Sequence, residues 1–172
     1  MSDLSILFHP APVLSEKAQE LELVDYQFLK ELLDKTKKDK VFGIAAPQVG
    51  VSQRVFAALI EGEYKLFVNP HILKSSEVID VASEMCLSLP GVSVLVERPI
   101  DLLVSYHAVD LENKSLVRQE RKLFKMDARV FMHEYDHLDG VTLLSKMGPV
   151  KKGLYEKKVL KYTKQLRQMS QR

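Results

Sequence analysis

The run His133-Glu134-Tyr135-Asp136-His137 constrains this chain more than any other stretch. Its two histidines stand at i and i+4, a spacing that puts both imidazoles on nearly one face of an α-helix. Two ring nitrogens can then share one metal ion, with Glu134 beside the first of them and within reach of a water at the ion. Met126 to Phe131 reads as the buried start of the same helix, and Met126, Val130, His133 and His137 fall on one face. The spacing predicts a helix over about 126–138 with the rest of the fold built around it. Asp136 is expected to orient a histidine by accepting its second N–H.

A catalytic ion held this way needs a third protein ligand and one open position. The longer pattern that runs on to Gly140 and then asks for a third histidine fails, because position 143 is Leu. Two residues remain. Glu156 would give a zinc endopeptidase, although it also reads as a solvated acid paired with Lys152 or Lys157. Cys86 is the only cysteine, so it has no internal disulfide partner. Its thiolate suits a soft transition-metal site, and only tertiary structure can bring it to His133.

The remaining texture sets the fold class. Pro10 and Pro12 predict an extended entry segment. Leu21, Val24, Phe28, Leu29, Leu32 and Leu33 recur at helical spacing and predict a helix over 21–38. Residues 55–60 and 66–68 flank Glu61-Gly62-Glu63, a hairpin signal, with Asn69-Pro70 closing the second run. Further strands are expected over 92–96, 102–109 and 115–124, where Leu102, Val104, Tyr106 and Ala108 alternate with more polar neighbours. A last helix over about 150–169 offers Leu154, Leu160 and Tyr162 for docking. Together these predict an α+β fold: antiparallel β-sheets packed around the central histidine-bearing helix, with an N-terminal and a C-terminal helix. No repeat or linker divides residues 1–172, so one catalytic domain is expected.

Charge and hydropathy narrow the setting. The net charge is +2, but residues 150–172 hold eight basic side chains and one acid, a tail of +7 on a body of −5. No apolar run reaches the roughly 18 residues that a membrane span needs. The first residues lack the basic and apolar regions of a secretory signal, and they are poor in Arg. The expectation is a cytoplasmic protein, or an organellar one whose transit peptide has been removed.

Val41-Phe42-Gly43-Ile44-Ala45-Ala46-Pro47-Gln48, Glu84-Met85-Cys86-Leu87-Ser88 and Met132-His133-Glu134-Tyr135-Asp136-His137-Leu138-Asp139-Gly140 follow one another along the chain. In this order the three segments resemble the motifs of the peptide deformylase family. The segment from Ile6 to Leu14, the helix at 21–38 and Val96-Glu97-Arg98 are similar too, so the likeness covers most of residues 4–145. It implies a hydrolase that removes the N-terminal formyl group from formylmethionyl peptides of nascent chains and releases formate. Cys86, His133 and His137 would hold one divalent ion, Fe(II) foremost, with Zn, Ni and Co accepted by the same donors. Glu134 would move the protons, and the Gln48 side-chain amide and the Leu87 N–H would meet the oxyanion. By position, Phe42, Gly43, Met85, Met126 and Val130 would line the methionine pocket. A Glu84–Arg98 ion pair would hold the Cys86 loop. The basic tail helix is a candidate contact for ribosomal RNA; no membrane or specific DNA binding is expected.

The sequence departs from the family at four places. Val41, Met85 and Lys125 stand where glycines are usual, and Met132 stands where a glutamine is. Met85 adds bulk where a peptide should lie, so altered peptide preference or weaker turnover is expected. A relative with another N-acyl substrate, or one that only binds peptides, is the alternative.

Overall fold

A computed structural model gives the fold and describes residues 4–169. The Met1 start and Arg172 of the basic tail lie outside the described residues. Helix α1 (Tyr26–Asp39) is followed by seven strands: β1 (Gly43–Ala45), β2 (Val55–Ile60), β3 (Glu63–Ser75), β4 (Ile79–Met85), β5 (Ser93–Pro99), β6 (Asp101–Asp110) and β7 (Ser115–Phe124). Helices α2 (Met126–Leu138) and α3 (Pro149–Met169) complete the chain. The architecture is α+β, as the sequence predicts.

The strands form two antiparallel sheets, one in the order β1-β2-β3-β6-β7 and a separate β4-β5 pair. Strand β2 shows how the large sheet joins two layers. Val55 and Ala57 face Leu29 and Leu32 of α1, whereas Phe56, Ala58 and Ile60 face the other way, toward α2. There Phe131 of α2 lies edge-on to Phe56 and Phe67, with ring centroids 5.2 and 5.5 Å away. Truncating such a ring typically costs about 3–5 kcal/mol. Ala128, Phe131 and Leu138 of α2 belong to this core. His133 and Glu134 face a cleft on the other side, with β4-β5 beyond, and Val130 belongs to the core while also lining that cleft. Helix α2 is therefore anchored by one stripe and presents chemistry from the other.

Several boundaries differ from the sequence reading, each for a local reason. Helix α1 starts at Tyr26 because the Asp25 side chain accepts the Gln27 and Phe28 N–H groups as an N-cap. Leu21 precedes the helix, and its N–H and C=O bond the Asn69 side chain at 2.8 and 3.1 Å. Strand β3 does not close at Asn69-Pro70. It runs on to Ser75 through a register shift between Val68 and His71, which accommodates a proline with no N–H. Pro12 opens a short 3-10 turn, Pro12–Ser15, where its fixed φ suits a first helical position. Strands β1 and β4 were not expected. Helix α3 docks through Val159, which is fully buried against Leu89, Val92 and Leu144, while Leu154 and Leu160 stay exposed.

Candidate metal centre and its cleft

Two segments meet at the centre of the molecule. Helix α2 brings His133 and His137, with ring centroids 5.3 Å apart. The turn after β4 brings Cys86, whose Sγ lies 3.3 Å from His137 Nε2. The donor atoms of Cys86, His133 and His137 all lie within 4.8 Å of one another, and among the described residues this is the only such group. Glu156 is elsewhere, on α3, 3.9 Å from Lys152, as its solvated-acid reading expects.

The chemistry of this donor set fits a transition-metal ion. One thiolate and two imidazoles are soft-to-borderline ligands. His133 is turned by Glu84 Oε2, 2.9 Å from its Nδ1, which leaves Nε2 for an ion. His137 Nδ1 is buried without a partner, as is Glu134 Oε2. Burial alone would push the Cys86 thiol up, but the charge of His137 and hydrogen bonds from both histidines bring it down to about 5. Burial also disfavours a charged His137, yet the Cys86 thiolate holds its pKa above the usual imidazole value. Glu134 is raised to about 6, chiefly by burial. Mutual perturbation of several titratable groups in a cleft is the arrangement in which functional sites concentrate.

The histidine's acceptor is Glu84, not Asp136. Glu84 is gripped by Arg98 through Nε and Nη2 at 3.0 and 2.9 Å, the ion pair that the family resemblance implies. Burial opposes its charge, but His133 and Arg98 hold the carboxyl far below the usual range. Asp136 instead takes Arg98 Nη1 at 2.7 Å and Lys146 at 3.1 Å. The network thus ties β4, β5 and α2 around Cys86, His133 and His137, the candidate ligands. Sequence reasoning missed Arg129, which also bonds Glu84 at 2.7 Å. Its signal was a charged residue one turn before His133 on the ligand-bearing face.

Gln48 is buried and fixed at both ends. Its Oε1 accepts the Ala45 N–H at 2.9 Å, and its Nε2 donates to Ser88 Oγ at 3.2 Å and to Cys86 Sγ at 3.6 Å. The Leu87 N–H has no acceptor among the described residues. Both donors border a cleft of about 700 Å³ that Phe42, Gly43, Met85, Met126 and Val130 also line. Met85 is 70% exposed at its rim. Lys125 sits at φ 48° and ψ −114°, a backbone conformation that favours glycine.

The polypeptide deformylase family model matches residues 4–153. A peptide deformylase of Pseudothermotoga lettingae is 34% identical over 157 residues, covering 90% of this chain and 88% of that protein. One from Desulforudis audaxviator is 36% identical, covering 85% of this chain and 94% of that one. The crystal structure of the Ehrlichia chaffeensis peptide deformylase in complex with actinonin superposes with a TM-score of 0.85 at 29% identity. It covers 94% of this chain and 98% of that one.

Proposed function

The chain belongs to the peptide deformylase family, and from that premise we propose that it removes the formyl group from formylmethionyl peptides of nascent chains, as a single catalytic unit. The observation that carries the reading is the convergence of Cys86, His133 and His137 beside the buried carboxylate of Glu134, at a largely apolar cleft. Cys86, His133 and His137 would hold one divalent ion, Fe(II) in the cell, with Zn, Ni or Co as substitutes. When bound, the ion supplies Lewis-acid chemistry, acidifying water and polarising the formyl oxygen.

The chain's own residues do the rest. Glu134, with a carboxyl raised to about 6, is matched to taking a proton from water and giving it back near neutrality. The water oxygen bonds to the formyl carbon and the C=O electron pair moves onto the formyl oxygen; as that oxyanion collapses, the carbon–nitrogen bond breaks and the proton from Glu134 goes to the leaving amine. The products are formate and a free N-terminus. Gln48 Nε2 and the Leu87 N–H are the donors for the oxyanion, and losing one such donor typically costs about 2.7–4 kcal/mol of barrier. Phe42, Met126 and Val130 give the methionine side chain an apolar lining, and Gly43 lets the backbone pass close to Glu134.

The setting follows from the same premise. No helix among the described residues is long and apolar enough to cross a membrane. We place the protein in a bacterial cytoplasm or an organelle, with the exposed lysines of α3 as a contact for ribosomal RNA. The test is formate release from a formyl-Met dipeptide by protein of known metal content, with Glu134→Ala as control. Turnover in the wild type and none in the variant is expected. A metal-loaded wild type that releases no formate would shift the reading to another N-acyl substrate or to peptide binding alone.

A further inference from the structure

Arg129 lies one turn before His133 on α2, about 6 Å along the helix axis. Its side chain is buried, and its partners are carboxylates and backbone carbonyls. Nη1 donates to Glu84 Oε1 at 2.7 Å and to the Val96 carbonyl at 3.1 Å. Nη2 donates to the Asp80 carbonyl at 2.9 Å and to Asp80 Oδ2 at 3.1 Å. A buried arginine is costly unless its partners are well placed, so its presence beside the ligands calls for a role.

Glu84 supplies that role. Its Oε1 accepts from Arg98 Nε and Arg129 Nη1, and its Oε2 faces Arg98 Nη2 and His133 Nδ1. Arg129 completes Oε1 and leaves Oε2 to Arg98 and the imidazole. Arg98 ties the carboxylate to β5, whereas Arg129 ties it to α2, the helix that carries His133. The local charges balance: Arg98, Arg129 and Lys146 against Glu84, Asp80 and Asp136.

We propose that Arg129 is a positioning residue for His133: by bonding Glu84 from the ligand helix itself, it fixes the carboxylate that orients the imidazole. This rests on the metal set proposed above. The test uses full-length protein loaded with Co(II), and compares the rate at which a chelator strips the ion and the visible Co(II) spectrum. Arg129→Met keeps most of the side-chain volume and removes the bonds. It is expected to lose the ion at least about tenfold faster, in line with the loss of an outer partner of a ligand, and to shift the Co(II) bands. Arg129→Lys, which can still reach Glu84 with one donor, should recover most of the wild-type rate. Asp80→Asn cuts only a tie that is half-exposed and should stay within about twofold of wild type.

Wild-type stripping and an unchanged spectrum in Arg129→Met would overturn the proposal. So would equal losses in Asp80→Asn and Arg129→Met, because Arg129 would then act only as a brace for the wall. If Arg129→Met does not fold, Arg129→Gln takes its place: it should lose the ion clearly faster than Asp80→Asn, and the reverse order refutes the idea. Ion retention does not depend on which acyl group is cleaved. A protein that holds Co(II) but releases no formate defeats the proposed function and leaves this inference standing, whereas one that holds no ion defeats the metal set itself.

Discussion

The backbone of Gly43 passes so close to Glu134 that a β-carbon there would stand 2.6 Å from Cγ and Cδ of the carboxylate side chain. No side chain fits without pushing Glu134 aside. Gly43 is an edge-strand residue of β1, paired with Ala58, so the backbone itself cannot easily withdraw. Gly43→Ala should retain the metal and lower kcat by about a hundredfold, the usual effect of misplacing a reacting group by an ångström. Metal analysis together with steady-state kinetics checks both halves. Wild-type kcat would mean that Glu134 moves freely.

The third metal ligand is open to a direct contrast. Cys86→Ser replaces a thiolate by a poor ligand, so bound metal after desalting should fall from about one ion per chain to near none. Glu156→Gln should leave metal content unchanged, since Glu156 lies on α3 beside Lys152. Stripping the ion from wild type with a chelator should abolish turnover, and adding back Co(II) or Zn should restore it. Metal loss in Glu156→Gln with retention in Cys86→Ser would revive the endopeptidase reading.

Glu84 makes the stability of this fold acid-sensitive. Its folded pKa is depressed, so the carboxylate's contribution is fully present above its ordinary value of 4.5 and is lost as pH falls below that. Removing one partner of a buried ion network typically costs about 3–5 kcal/mol. Glu84→Gln should therefore be destabilised by that order near neutrality, in urea unfolding of the metal-free protein. The gap to wild type should narrow in acid. A pH-independent gap would show that Glu84 acts by packing rather than by charge.

How much of this could be read from sequence depends on whether the signal was local. Helix α2 was legible because one face, Met126, Val130, His133 and His137, repeats at helical spacing along its 13 residues. Strand β1 was not, because three residues of Gly, Ile and Ala carry almost no pattern. Strand β4 was obscured because its outward residues Ile79 and Val81 are apolar and exposed, while Glu84 is charged and buried. That inversion arises from Arg98 and Arg129, which approach from β5 and α2. The expectation that Asp136 orients a histidine failed for the same reason: Asp136 is a neighbour of both histidines in sequence, whereas Glu84, which does bond His133, is one only in space. Cys86 was reachable from motif order, whereas its nearness to His137 is purely tertiary.

Met85 stands exposed at the rim of the cleft, next to the proposed ligand Cys86. Its position is solvent-facing, so shortening it opens no core cavity. Met85→Gly should lower KM for longer formylated peptides and leave metal content unchanged, with the gain growing with peptide length. Equal kcat and KM for both proteins across that series would show that Met85 does not touch the peptide.

The basic tail invites a test by deletion, but the packing of α3 argues against it. Val159 is buried in the same cluster as Cys86, and Tyr162 covers Gly91, where a β-carbon would stand 2.8 Å from the ring. Removing the helix would uncover the Cys86 segment and confuse ribosome binding with damage to the site. Neutralising Lys157, Lys158, Lys161 and Lys164 avoids this, because all four are exposed and Val159 stays docked. If the helix contacts ribosomal RNA, the quadruple Gln variant should bind ribosomes more weakly. The slope of log affinity against log salt should flatten by roughly 0.7–0.9 for each phosphate that a lysine no longer neutralises. Formate release from a free dipeptide should be unchanged, which separates docking from catalysis. Equal ribosome binding at every salt concentration would leave the tail as a solvated helix whose role is to pack Val159 over the Cys86 loop.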